Sequence, residues 1–118
     1  MSNRVEMAQY IEAALRGASL RQSVLANNIA NMNTPGYRRG TVQFESLLAD
    51  AMEAGKPMQE GDLNDQVTQP RTTPVDFQDN DVDLEMEVGE MIKNTAMYKT
   101  YMRMLGRAYH KMELAIQD

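Results

Sequence analysis

LANNIANMNTPGYRR, Leu25 to Arg39, ends an apolar helical pattern with three closely spaced amides, Asn27, Asn28 and Asn31, and then with Asn33, Thr34, Pro35 and Gly36. Asn is a mediocre helix former because its short side chain competes for nearby backbone groups. Its repetition here implies that the amides serve contacts outside their own helix. In the run Thr34, Pro35, Gly36, Tyr37, proline takes the second position of a turn and glycine the third, where φ is positive. The chain is therefore expected to leave the helix through a defined corner.

Upstream of that corner, Ala8, Ile11, Leu15, Ala18, Gln22, Leu25, Ile29 and Met32 alternate spacings of three and four, with Gln22 the one polar member. The stripe predicts a helix over residues 8–32, about 37 Å long at the standard rise. Near the other end Leu84, Val88, Met91, Thr95, Tyr98, Met102, Leu105, Tyr109, Met112 and Ile116 repeat the spacing, interrupted by Thr95. That predicts a helix over 84–116, about 50 Å long, which is too long to be stable without a partner of similar length. A connection of about 50 residues is long enough to bring the second helix back beside the first. The expected fold is mainly α: long N- and C-terminal helices packed as an antiparallel coiled-coil-like hairpin, with a partly irregular centre. The organisation is 1–40 for the first helix and its turn, 41–79 for the middle and 80–118 for the second helix, together one domain.

In the middle, Phe44, Leu47, Leu48, Ala51 and Met52 predict one short amphipathic helix ended by Gly55 and Pro57. From Gly55 to Asp79 only isolated apolar residues occur, among them Met58, Leu63, Val67, Val75 and Phe77. Such a segment is expected to be mobile in a free monomer, with short strands around Val67 and Val75 where a surface supports them. Asn80, Asp81 and Asp83 offer caps for the second helix, and Glu85 and Glu87 suit its exposed first-turn N–H groups. Lys99, Arg103, Arg107 and Lys111 follow at four-residue spacing, either as an ordinary solvated face or as a basic ridge awaiting an acidic neighbour.

Composition narrows the function. The 118 residues carry a formal net charge of -5 with scattered basic residues, a poor match for nucleic acid. The absence of Cys removes disulfides and thiolate chemistry. No apolar run approaches the roughly 20 residues of a membrane span, and MSNRVEMAQY lacks the apolar core of a cleaved signal peptide. His110 is the single His, with no second ligand at metal spacing. Asp79, Asp81 and Asp83 lack the central Gly and terminal Glu of a calcium loop. No catalytic set, cofactor or metal is expected, and the chain reads as structural rather than enzymatic.

The run LANNIANMNTPGYRR resembles the N-terminal motif of bacterial flagellar rod, hook and hook-filament junction proteins. The stretch NDVDLEMEVGEMIKNTAMYKTYMRMLGRAYHKMELAI, Asn80 to Ile116, resembles the proximal rod members of that family. The resemblance covers most of residues 8–40 and 78–117. It implies a structural subunit of the basal-body rod that assembles helically, with its paired helices lining a tube. It further implies export from the cytoplasm through the type III apparatus without a cleaved signal, and a place in the periplasmic rod. The implied partners are further copies, other rod proteins, the export gate and the components of the MS-ring base. By the same resemblance Asn27, Asn28, Asn31, Thr34, Pro35, Gly36 and Tyr37, with Asn80, Val82 and Leu84 at the start of the second helix, form an assembly interface, their amides bonding to adjacent subunits. Another rod subunit, or a coiled-coil export chaperone or adaptor, stays open as an alternative.

Overall fold

A computed structural model describes residues 2–117. In chain order the elements are α1 (Ser2–Ala30), β1 (Thr41–Val42), α2 (Glu45–Ala54), α3 (Glu60–Asn64), β2 (Val67–Thr68) and α4 (Leu84–Gln117). The molecule measures 65 × 25 × 16 Å. Its radius of gyration is 17.4 Å, against about 13.5 Å for a compact chain of this length. The two long helices set that shape, and they run antiparallel along each other. Asn28 meets Glu87 at one end, Ala18 meets Asn94 midway, and the Tyr109 hydroxyl donates to the Glu12 carboxylate at the far end.

α1 is the central element. One side packs on α4 and another on the layer made by β1, α2 and α3. Burial on two sides explains why Ala8, Ala13, Ala14 and Ala18 are all buried with Ile11 and Leu25: small side chains let both layers approach. The second layer centres on Phe44, which is fully buried with Ala14, Val42 and Leu63 and is flanked by Leu20, Val24, Leu48 and Tyr101. Gly17 supplies the space, since a Cβ there would lie 2.5 Å from the Phe44 ring. Arg21 clamps the layer down. Its guanidinium lies 4.8 Å from the Phe44 ring centre, donates to Val42 O, and makes a two-pronged ion pair with Glu45 at 2.8 and 2.6 Å.

The short helix of the middle forms as expected and ends at Gly55, and the Tyr10 hydroxyl donates to the carbonyls of Ala51 and Lys56 at its end. Beyond it the structure adds an element that the sequence pattern did not suggest. α3 begins where the Gln59 backbone N–H donates to Asp62 Oδ2 at 3.1 Å, and it delivers the isolated Leu63 into the core. Val67 does form a strand, β2, antiparallel to β1 with Thr41 opposite Thr68 and Val42 opposite Val67. Val75 lies outside any strand and is half exposed.

The stripe on α4 has the expected period but a different phase. The side turned to α1 carries Glu87, Met91, Asn94, Tyr101, Leu105, Ala108 and Met112, while Leu84, Val88, Met102 and Ile116 face outward, and Tyr109 lies at the edge with its hydroxyl reaching Glu12. The reason is polar. Asn94 donates to Ala18 O at 2.7 Å and Gln22 Oε1 at 2.9 Å, and Gln22 donates to Thr95. A polar pair at one level of a helix seam fixes its register, at some expense in stability. The two polar interruptions of the sequence stripes, Gln22 and Thr95, thus sit opposite each other.

Candidate functional site

The end of the helix pair where α1 stops and α4 starts gathers most of the residues singled out from sequence. Pro35 and Gly36 build the turn: Gly36 has φ 76°, which favours glycine, and Tyr37 N donates to Thr34 O at 3.2 Å. Just past the turn the chain runs back along α1, where Asn28 receives it. Asn28 Nδ2 donates to Gly40 O (2.9 Å) and Glu87 Oε2 (3.0 Å), and its Oδ1 accepts from Gly40 N (2.9 Å) and the Tyr37 hydroxyl (3.0 Å). Two donors and two acceptor sites are all the amide has, and each is filled within the chain. Asn28 thus forms a lock inside the subunit.

The other amides follow the same pattern. Asn27 donates to the Tyr37 oxygen at 3.0 Å, extending a relay from Asn27 through Tyr37 to Asn28. Asn31 donates to Asn27 O at 2.9 Å and accepts from the Thr34 hydroxyl at 3.1 Å. Asn80, buried, donates to Asn31 O and Thr34 O, both at 2.9 Å, and accepts from Val82 N at 2.8 Å. Asn80 was expected to cap the second helix; it instead adds a second bond to each of two turn carbonyls after the first, which also accept from Thr34 N and Tyr37 N. Asp83 caps α4, accepting from Glu85 N and Met86 N. Val82 is half-buried beside this cluster, whereas Leu84 and Pro35 face outward.

Sequence reading missed the charged centre of the corner. Glu87 is fully buried, not a solvent-facing residue of the first turn. It accepts from Arg39 Nε at 2.5 Å as well as from Asn28, while Arg39 N donates to Asp81 Oδ1. Arg39 and Asp81 are buried too. A signal did exist: Glu87 shares helical phase with Met91 and Asn94, so a helix turned by one position puts it in the seam. What could not be read was that Arg39 would stand there to neutralise it.

Among the described residues no cluster of three or more His, Cys, Asp or Glu side chains could hold a metal ion. Among the same residues no helix is long and apolar enough to cross a membrane. What the geometry provides is a rigid junction: one buried ion pair and a set of amide bonds fix how two long helices and the returning chain meet.

Burial pushes the Tyr37 hydroxyl above its ordinary value of 10.0, and the charges of Glu87 and Asp81 add to this against the opposing pull of the Asn27 bond and Arg39. A raised folded value favours the neutral form, so the contribution is complete below pH 10 and is lost as pH rises through the folded value. Stability measured by urea unfolding should therefore decline above pH 10, and Tyr37→Phe should make that decline shallower. Tyr101, raised by burial and by Glu45, keeps some slope in the variant. An unchanged slope would show that Tyr37 titrates freely.

Comparison with known proteins gives the corner its context. A family model described as flagella basal body rod protein matches residues 12–38, the second half of α1 with its turn. Along most of its length the chain is similar to the flagellar basal body rod protein FlgB of Bacillus subtilis, 27% identical with 92% of this chain and 91% of the relative covered. FlgB of Borreliella burgdorferi is 29% identical, with 68% and 73% covered. The flagellar hook protein FlgE of Treponema pallidum is 36% identical over 42 residues, which is 36% of this chain and 9% of that protein. At the level of family, these similarities are to the flagellar rod/hook proteins. Within that family the similarity is FlgB-like.

Proposed function

We propose that the chain is a FlgB-type structural subunit of the proximal rod of the bacterial flagellar basal body. Its work is to join the membrane-embedded base to the drive shaft by helical assembly. The observation that carries the reading is the similarity to Bacillus subtilis FlgB across 92% of the chain, including both long helices. The physical features agree with a shaft element: an elongated helix pair, a locked junction and an apolar outer face on α4 left for neighbours. In this reading its partners are further copies, other rod proteins, the export gate and the MS-ring base. It reaches the periplasmic rod through the type III apparatus, and the corner residues act on assembly by fixing the angle at which the chain leaves the helix pair.

A second reading, another axial subunit such as FlgC, is favoured by one observation: the chain is also similar to a hook protein over 42 residues, so part of its sequence is shared across subunit types. The test is complementation together with position. In a motile host lacking its own proximal rod subunit, the labelled chain should restore motility and appear as a focus at the export gate. Restoration only of a strain lacking a different rod subunit, or a focus farther along the shaft, would overturn the proximal assignment.

A further inference from the structure

The two ends of this molecule carry matching features that its own fold leaves facing solvent. At the corner end, Phe77 is 95% exposed. The turn that presents it is held rigidly: Asp76 Oδ1 accepts from Gln78 N (2.8 Å) and Asn80 N (3.1 Å), Asp79 N donates to Asp76 O, and Gly36 N donates to Gln78 O. A flexible loop could fold its aromatic ring away from water, but this one holds the ring out. Around it Asp76, Asp79, Asp83 and Glu85 are exposed, so the tip is acidic even though Asp79 pairs with Arg38.

The other feature lies on the outer side of α4, about 33 Å along the helix from Leu84. Gly106 interrupts a long helix there, where Ala would be the better helix former. A Cβ at Gly106 would meet nothing within 4 Å, so no packing inside the subunit calls for the gap. Met102, half-exposed, stands one helical turn before it, and Tyr109, half-exposed with its hydroxyl held by Glu12 of α1, stands one turn after it at the edge of this face. Arg103, a turn before it, and the exposed Lys99 and Arg107 make its margin basic.

We propose that Phe77 of one copy of this chain seats in the Gly106 notch of a second copy, with the acidic tip against the basic ridge. The occupant is a second copy because the chain itself carries the knob, the notch and the opposite charges, too far apart to meet within one molecule. Aromatic packing against Met102 supplies contact, and the charges orient the approach. Since the two faces are different, the contact is head-to-tail, and it repeats along an open array unless the rotation happens to close a ring. The inference rests on reading the chain as an assembling subunit and names the faces that it uses.

The test is sedimentation velocity on the purified full chain at about 0.02 M and about 0.15 M salt, conditions that differ severalfold in screening. The wild type should associate with concentration at low salt and at least about tenfold more weakly at high salt. Gly106→Leu fills the notch with a better helix former, so it should stabilise the monomer to urea yet weaken association at least about tenfold. Phe77→Ser should weaken it similarly without loss of fold. Arg103→Glu/Arg107→Glu and Asp79→Lys/Glu85→Lys should each stay monomeric alone and co-associate when mixed. A wild type that remains monomeric at low salt, Gly106→Leu and Phe77→Ser variants that associate normally, or a silent mixture would overturn the contact. None of these results depends on where the chain lies in the cell, so this contact and the proximal-rod reading stand or fall separately.

Discussion

Glu87→Ala should destabilise the folded chain by about 3–5 kcal/mol, because it strands a buried Arg39 guanidinium that has lost its counter-charge. Domains of this size are stable by only about 5–15 kcal/mol, so the loss is a large fraction of the total. The same change leaves one Asn28 donor without an acceptor inside the corner. Arg39→Met in the Glu87→Ala background should recover part of the loss, since removing the second charge removes the uncompensated one. Urea unfolding of the wild type, both single variants and the double variant reads the coupling directly. A single-variant loss below about 1 kcal/mol would mean that water reaches the pair and screens it. Asn28→Ala belongs to the same series. Read as a contact between subunits, the residue would leave the monomer nearly untouched; with its four bonds closed internally, the variant should cost about 1–3 kcal/mol before any assembly occurs.

What was legible in the sequence, and what was not, divides along the range of the interactions. The turn at Pro35 and Gly36 and the end of α2 at Gly55 are local, and their residues dictate them. The two long helices are legible because their periodicity persists over many turns. The face that α4 presents is not local. A phase chosen to bury Leu84, Val88, Met102 and Tyr109 would hide more apolar surface, but it would turn Glu87 and Asn94 away from Arg39, Asn28, Ala18 and Gln22. The structure instead pairs the Glu87 carboxylate and both Asn94 N–H groups, leaving only Asn94 Oδ1 and Asp81 Oδ2 as buried side-chain oxygens without a partner among the described residues, and keeps apolar side chains outside, because an unpaired buried charge costs more than an exposed Leu. That choice depends on residues about 50 or more positions away. β1, the partner of the strand expected around Val67, and the short α3 were hidden for a related reason: a two-residue strand and a five-residue helix have no period to detect, and Leu63 gains its burial only once Phe44 and Val42 are in place. The Asn-rich corner was legible in location, and its bonds within the chain were not. Residue type showed that the amides had work to do outside their own turn, but only the returning chain at Tyr37 and Gly40 showed that the partners are internal.

The core around Phe44 gives the other large effect, through a residue that has no side chain. Phe44→Ala should destabilise by about 3–5 kcal/mol, since the ring is fully buried and its removal opens a cavity between α1 and the β1–α2 layer. It also takes away the face on which the Arg21 guanidinium lies. Gly17→Ala tests the same contact from the opposite side. In an isolated helix the change would be favourable by about 0.5–1 kcal/mol. Here the new methyl would lie 2.5 to 2.7 Å from three ring atoms of Phe44, closer than atoms can approach, and a ring enclosed on every side has nowhere to move. Overpacking of this kind typically costs about 1–3 kcal/mol, so the expected sign is a net loss. Combining Gly17→Ala with Phe44→Leu should bring back part of the stability lost by either change alone, because the smaller side chain vacates the space the methyl enters. The four proteins form a double-mutant cycle that thermal or urea unfolding can close. A stabilised Gly17→Ala variant, or losses that simply add, would show that α1 and the Phe44 layer stand farther apart than this packing requires.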